Sequence, residues 1–177
     1  FKDSREGLED WHNLVVTFGF GSALGIDLPN EKGGLMPSVP YYDKAYRNRP
    51  WKFSNIYSIA IGEGENLVVP IQMANFAAAV ANRGYYYTPH LIKSIGNSGI
   101  PLSKYQEKHV IPIDSVNFEL AADAMQNVVT SGTAVRANLK DIVICGKTGS
   151  VQNDPNPEHS VFIAFAPKNN PKIAISV

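Results

Sequence analysis

Ile142-Val143-Ile144-Cys145-Gly146-Lys147-Thr148-Gly149-Ser150 is the stretch that decides the fold, because an apolar run leads directly into Lys-Thr-Gly. The run is rich in β-branched residues and ends at a glycine, which predicts a buried strand. Side chains alternate along a strand, so Lys147 and Gly149 should share one face and Thr148 should lie on the other. Gly149 has no side chain, so a ligand can approach the backbone closely there. A cation, hydroxyl groups and an open strand edge together predict a site for a carboxylate next to a reacting carbonyl.

A phosphate-binding loop is the rival interpretation of the same stretch, since Gly146-Lys147-Thr148 matches the end of G-x-x-x-x-G-K-[ST]. That motif requires glycine where this chain has Asp141, and it requires a helix immediately afterwards. Pro155 and Pro157 argue against such a helix. We therefore reject the phosphate-binding interpretation.

Composition limits the range of functions. The 177 residues suit one domain, and an apolar content of 44% is enough for a core. Sixteen basic residues balance sixteen acidic residues, which gives no indication of a nucleic-acid partner. Cys145 is the single cysteine, which excludes an internal disulfide, and its place in the strand predicts a buried, inert thiol. The four histidines lack metal-ligand spacing, so no metal or cofactor is predicted.

The pattern along the chain predicts helices followed by strands. Helical spacing predicts a helix over residues 4–18, and the aromatic and basic stretch Tyr41 to Trp51 is interpreted as an exposed, structured loop. Pro70 should open a helix with a face of small residues, ended by Gly84 as its C-cap. A strand from Tyr85 to Ile95, interrupted by Pro89, and a turn region from Asn97 to Tyr105 are predicted next.

The last third of the sequence predicts a helix followed by a sheet. A helix over about 116–129 should be capped by Asp114 or Ser115. The Lys-Thr-Gly strand and two strands starting at about Ser160 and Lys172 are joined by short polar loops, which favours antiparallel pairing. We therefore predict an α/β fold of the α+β type, an antiparallel sheet flanked by helices.

Eight short motifs occur in an order that points to one family. They are Phe18-Gly19-Phe20-Gly21, Gly25-Ile26-Asp27-Leu28-Pro29, Gly62-Glu63-Gly64, Pro70-Ile71-Gln72-Met73-Ala74, Ala81-Asn82-Arg83-Gly84, Pro89-His90-Leu91, Gly132-Thr133-Ala134 and Gly146-Lys147-Thr148-Gly149-Ser150. With these motifs the chain resembles the transpeptidase domain of class B penicillin-binding proteins, most closely the penicillin-binding protein 2 type. Residues 1–177 would form the C-terminal part of that domain, an incomplete β-lactamase/D,D-peptidase-like fold.

The resemblance implies a D,D-transpeptidase that cross-links peptidoglycan stem peptides through an acyl-serine intermediate and binds β-lactams. It implies a parent protein on the periplasmic side of the bacterial inner membrane, with its membrane anchor outside this chain and cell-wall synthesis proteins as partners. Lys147 would direct positive charge at the substrate carboxylate, and Thr148 and Ser150 would hydrogen-bond to it beside Gly149. The backbone N–H of Ser150 would form half of the oxyanion hole.

The sequence departs from the family pattern in its other motifs. It contains no S-x-x-K, and its S-x-N, Ser115-Val116-Asn117, lies on the wrong side of Phe18-Gly19-Phe20-Gly21, so Ser115 is interpreted as a helix cap. Tyr46-Arg47-Asn48 resembles a Y-x-N variant but lies on the same wrong side. We therefore expect the nucleophile, its lysine and the second motif upstream of Phe1, and we expect the fragment alone to be inactive and to expose core surface.

Two alternatives stay open at this stage. The first keeps the fold but changes the activity to a serine β-lactamase or a β-lactam sensor, which fast β-lactam turnover by the parent protein would favour. The second is a catalytically inactive module that binds glycan or protein. An S-x-x-K motif upstream in the parent gene would favour an enzyme.

Overall fold

The computed structural model describes residues 3–94, 99, 102–152 and 155–177. Part of the predicted turn region from Asn97 to Tyr105 therefore lies outside the described residues. The helices are α1 (Ser4–Val15), α2 (Val39–Ala45), α3 (Phe53–Ile56), α4 (Pro70–Ala81) and α5 (Ser115–Ser131). The strands are β1 (Tyr85–Tyr87), β2 (Lys108–Val110), β3 (Cys145–Val151), β4 (His159–Ala166) and β5 (Ile173–Ser176).

The three C-terminal strands form one antiparallel sheet in the order β3-β4-β5, which confirms the predicted architecture. The β3–β4 register runs from Cys145 opposite Phe165 to Val151 opposite His159. The β4–β5 register runs from Ile163 opposite Ser176 to Ala166 opposite Ile173. Helices α4 and α5 pack on this sheet, so the predicted combination of helices with an antiparallel sheet is confirmed.

The strand that carries Lys-Thr-Gly begins later than predicted. β3 starts at Cys145, and the side chains of Ile142 and Val143 are 43% and 46% exposed, so the prediction that they lie in a buried strand was wrong. The register explains the difference, because continuing the ladder would place Val143 opposite Pro167, which has no N–H to donate. Lys168 N instead donates to Val143 O at 2.9 Å.

The main core lies between the sheet and the two long helices. It joins Phe18 and Phe20 to side chains of α4, α5, β3 and β4, including Phe118, Met125 and Phe165. Tyr86 of β1 also belongs to it, and β1 pairs with β2 as a separate two-stranded sheet from Tyr85 opposite Val110 to Tyr87 opposite Lys108. The predicted strand Tyr85 to Ile95 thus shrinks to three residues in its described part, because Pro89 cannot donate to the ladder.

The aromatic and basic stretch 41–51 is the largest misprediction. It includes most of helix α2, which begins after Ser38, whose hydroxyl accepts from Tyr41 N at 3.4 Å. Tyr42 is 1% exposed and Trp51 7%, so both are core residues of a second apolar cluster rather than surface loop residues; Leu8, Ile56 and Ile59 complete that cluster. Burial of these aromatic rings outweighs the polar character of their neighbours.

Asp43 connects α2 to the elements around it. Its carboxylate accepts from the Arg5 guanidinium at 2.6 and 2.8 Å and from Trp51 Nε1 at 3.0 Å. These hydrogen bonds, the one from Arg5 first, lower the pKa of Asp43 to about 2. Arg5 and Asp43 therefore tie helix α1 to helix α2 at this corner of the fold.

The cap of α4 differs from the sequence interpretation, and one of the two caps predicted for α5 is confirmed. Helix α4 has Asn82 as its C-cap, and Arg83, with φ of 61°, takes the left-handed position predicted for Gly84. The Gly84 N–H bonds to Ala79 O and the Arg83 N–H bonds to Val80 O, which is the Schellman arrangement. Asp114 is the cap of α5, accepting from Val116 N at 3.0 Å, so Ser115 is the first residue of the helix and not its cap.

The buried face of α4 also differs from the small-residue face predicted for it. Gln72 and Asn75 are buried there, at 0% and 3% exposure, along with the small residues Ala77 and Ala81. Polar residues escape a search for apolar periodicity, although they are tolerated in a core when they are hydrogen-bonded. No helix in the described ranges is both long and apolar enough to cross a bilayer.

Candidate active site

The Lys-Thr-Gly residues lie on an edge of the sheet. In the part of the chain that the structure describes, β3 pairs with β4 on one side and with no strand on the other. Lys147, Gly149 and Ser150 are exposed, and Thr148 is half-buried. The predicted site residues are thus consecutive along one accessible strand, and alternation places Thr148 and Ser150 on the face opposite Lys147.

The ammonium of Lys147 stays close to its own strand. Its Nζ donates to the backbone carbonyl of Thr148 at 2.6 Å, so the cation lies at the Thr148 peptide although the two side chains alternate. The side chain is exposed, which leaves the remaining N–H groups of the ammonium accessible to an anion. A positive charge beside an open strand is an arrangement that can bind a carboxylate.

The two glycines of the motif have different surroundings. A Cβ added at Gly146 would lie 2.5 Å from Phe162 Cζ, so glycine at this position allows the aromatic ring to pack on β3. At Gly149 the nearest atom would be Val161 Cβ at 3.9 Å, so the space beside it is open. Gly146 therefore has a packing role, while the open space at Gly149 matches the predicted close approach of a ligand to the backbone.

Thr133 is a residue at the site to which the sequence assigned no role. Its Oγ1 lies 2.8 Å from Oγ1 of Thr148, a distance typical of a hydrogen bond between hydroxyls. Gly132-Thr133-Ala134 is one of the motifs of the resemblance, but its contact with β3 depends on how α5 packs on the sheet. Only that packing brings Thr133 and Thr148 together across fifteen residues.

The structure separates Ser115-Val116-Asn117 from this cluster. Ser115 begins α5, while Thr133 follows the end of the same 17-residue helix. At 1.5 Å of rise per residue the two ends are about 24 Å apart. Ser115 therefore cannot contribute to a site built around Thr148, in agreement with the interpretation that it is not a working S-x-N serine.

Neither the single cysteine nor the metal-ligating side chains give an alternative site in the described ranges. Cys145 is 0% exposed, and burial raises the pKa of its thiol, so it is the buried, inert cysteine that was predicted. Among the described residues, no three His, Cys, Asp or Glu side chains are arranged to hold a metal ion.

Comparison with known proteins identifies the family. Residues 3–177 match the family model described as the penicillin binding protein transpeptidase domain. The peptidoglycan D,D-transpeptidase MrdA of Escherichia coli strain K12 is 31% identical, over 97% of this chain and 30% of the relative. The chain spans less than a third of the length of the curated relatives it matches first.

Solved structures give the same result. Pseudomonas aeruginosa PBP2 in complex with WCK 5153 matches with a TM-score of 0.81 and 31% identity, over 96% of this chain and 37% of that chain. PBP2 of Helicobacter pylori, solved as a complex with MreC, matches with a TM-score of 0.78 and 26% identity, over 96% of this chain and 31% of that one. The incomplete fold expected from the sequence is therefore the fold of these transpeptidase domains.

Proposed function

The chain belongs to the penicillin-binding protein transpeptidase domain family, and from that premise we propose that residues 1–177 are the C-terminal part of such a domain. The parent protein is then a peptidoglycan D,D-transpeptidase of the penicillin-binding protein 2 type. It cross-links stem peptides through an acyl-serine intermediate whose serine lies in S-x-x-K upstream of this chain. The observation that carries the proposal is the family match over 3–177 combined with Lys-Thr-Gly on an accessible sheet edge.

Each residue of the motif has a role in this proposal. Lys147 supplies positive charge to the carboxylate of the D-Ala-D-Ala end or of a β-lactam, and the hydroxyls of Thr148 and Ser150 hydrogen-bond to it. The backbone N–H of Ser150 provides half of the oxyanion hole, where one donor is worth about 100- to 1,000-fold in rate. The exposed position of Lys147 and the open space beside Gly149 support this assignment.

The relatives support a proposal for the setting of the parent protein. The Helicobacter pylori relative was solved together with MreC, and we propose that the parent likewise assembles with cell-wall synthesis proteins. Its active domain lies on the periplasmic side of the inner membrane, held by an anchor outside this chain. Peptidoglycan stem peptides and β-lactams are its ligands.

The test is acylation of the full-length parent by a labelled penicillin. Lys147→Ala should slow acylation by about 10- to 100-fold, because a hydrogen bond to a charged group is worth about 1.5–3 kcal/mol. Lys140→Ala is the matched control, since Lys140 is also exposed and precedes β3, and it should react at the wild-type rate. The thermal midpoint of both variants should equal that of the wild type.

Three outcomes would contradict the proposal. A parent protein that forms no acyl-enzyme is not a penicillin-binding transpeptidase. An acyl-enzyme that hydrolyses as fast as it forms indicates a β-lactamase instead. Equal acylation rates for Lys147→Ala and Lys140→Ala would remove Lys147 from the carboxylate site.

A further inference from the structure

Thr133 and Thr148 form a pair of hydroxyls, and the Lys147 ammonium donates to the backbone carbonyl of the same Thr148. Their Oγ atoms are 2.8 Å apart, and either hydroxyl could be the donor. Each threonine has one hydroxyl proton and two acceptor lone pairs. The direction of this hydrogen bond therefore decides whether Thr148 keeps a proton for a ligand. If Thr148 donates to Thr133, none remains; if Thr133 donates, the Thr148 proton is free.

The position of Thr133 is fixed from both sides. The Gly132 N–H and the Ala134 N–H both bond to Val128 O, at 3.2 and 3.1 Å, directly after α5. A Cβ on Gly132 would lie 2.8 Å from Val128 Cα, so a larger residue could not follow this path. Ala134 is 6% exposed and anchors the other side. The chain thus presents the Thr133 hydroxyl to β3 in a defined place.

Thr133 itself is exposed, so its hydrogen bond to Thr148 adds little to the stability of the fold. An exposed hydroxyl that is held next to buried Ala134 and aimed at a site residue has its largest effect when a ligand is present. A negative charge beyond Thr148 would polarise the pair, because successive hydrogen bonds orient and strengthen one another. Both protons would then point toward the anion.

We propose that Thr133 is a positioning residue of the carboxylate site: its hydroxyl donates to Thr148 Oγ1 and leaves the Thr148 proton free for the ligand carboxylate. This inference rests on the proposed function, because it assumes that a carboxylate binds at Thr148. Thr133 does not touch the ligand. It acts by fixing the rotamer and the proton of Thr148.

The experiment measures the second-order acylation rate of the full-length parent with benzylpenicillin and with its methyl ester. Thr133→Val keeps the shape and removes the donor, and it should lower the rate with benzylpenicillin about threefold to tenfold. The rate with the ester, which has no carboxylate charge, should stay unchanged. Thr133→Ser should react like the wild type. So should Thr130→Val, an exposed threonine that bonds within α5.

Repeating the measurement in a Thr148→Val variant of the parent separates a positioning role of Thr133 from a general effect on structure. In a Thr148→Val parent the partner hydroxyl is absent, so adding Thr133→Val should change the rate by less than about 1.5-fold. Wild-type reactivity of Thr133→Val with benzylpenicillin would overturn the inference while the proposed function stands. Equal losses for the acid and the ester, or an undiminished loss in the Thr148→Val background, would overturn it as well. A wild-type parent that is not acylated would overturn the proposed function and this inference together.

Discussion

Gln72 shows at the scale of one residue how a polar side chain organises the fold. It has no exposed surface, and its Nε2 lies 3.1, 2.9 and 2.8 Å from the carbonyls of Gly19, Ser22 and Gly33. Its Oε1 accepts from Val69 N at 3.0 Å. One amide thus connects the start of α4 to two loops far away in sequence. Gln72 therefore stabilises the irregular segment that carries the Phe-Gly-Phe-Gly motif.

Replacing Gln72 with leucine should lower the free energy of unfolding by at least about 2 kcal/mol, because several backbone groups lose their partner and each buried one costs about 1–3 kcal/mol. Met73→Leu, a neighbouring substitution of similar volume on the same helix, should cost less than about 1.5 kcal/mol. Thermal or denaturant unfolding of the parent protein measures both. Equal stability of the two variants would show that water replaces the amide without loss.

At the scale of the element, β3 combines a packing glycine with an open one. Gly146→Ala should destabilise the protein by about 1–3 kcal/mol, since its Cβ would meet the Phe162 ring at 2.5 Å.

Gly149→Ala should leave stability unchanged or raise it by up to about 1 kcal/mol, as alanine restricts the unfolded chain more than glycine does. The same Gly149 variant should lose acylation, because its methyl group occupies the space proposed for the ligand. A Gly149→Ala protein that is less stable than the wild type and is acylated at the wild-type rate would show that Gly149 has the packing role and not the open one.

Elements with a regular apolar pattern could be predicted from the sequence, and those that depend on tertiary contacts could not. The repeat of Phe118, Ala122 and Met125 predicts α5, and all three are buried. Alternation and short polar loops likewise predict the β3-β4-β5 order. Ile142 and Val143 have the composition of a strand, yet Pro167, directly after the partner strand β4, prevents the ladder from continuing to Val143. A single sequence window does not contain that information.

The residues of the candidate site also differ in whether the sequence alone could identify them. Lys147, Thr148, Gly149 and Ser150 are adjacent in the sequence, so a motif can identify them as candidates, although their roles stay predictions. Thr133 reaches Thr148 only because α5 packs on β3, and no local pattern specifies that contact. Tyr42 and Trp51 are a similar case in the core. Their neighbours suggest a surface loop, while packing in one cluster with Leu8 of α1, Ile56 and Ile59 buries both rings.

At the scale of the whole molecule, the sheet has apolar side chains that the described residues leave uncovered. Ile173, Ile175 and Val177 are 60%, 38% and 78% exposed along β5 and the residue that follows it. In the described part of the chain β5 pairs with β4 alone, and an uncovered apolar edge is a template for further pairing. We expect the preceding part of the proposed domain to cover this surface and to complete the active site.

The 177-residue chain alone should therefore form no covalent adduct with penicillin. Acylation requires a serine with a nearby base and an oxyanion hole, and the sequence contains no S-x-x-K to supply the first two. Coexpression with the preceding part of the parent should restore labelling, on a serine of that preceding part. Intact-mass spectrometry and peptide mapping after exposure to a labelled penicillin measure both results, with the full-length parent as the positive control. A stoichiometric adduct on Ser150, Ser115 or another serine of this chain would show that the chain carries a complete active site of its own.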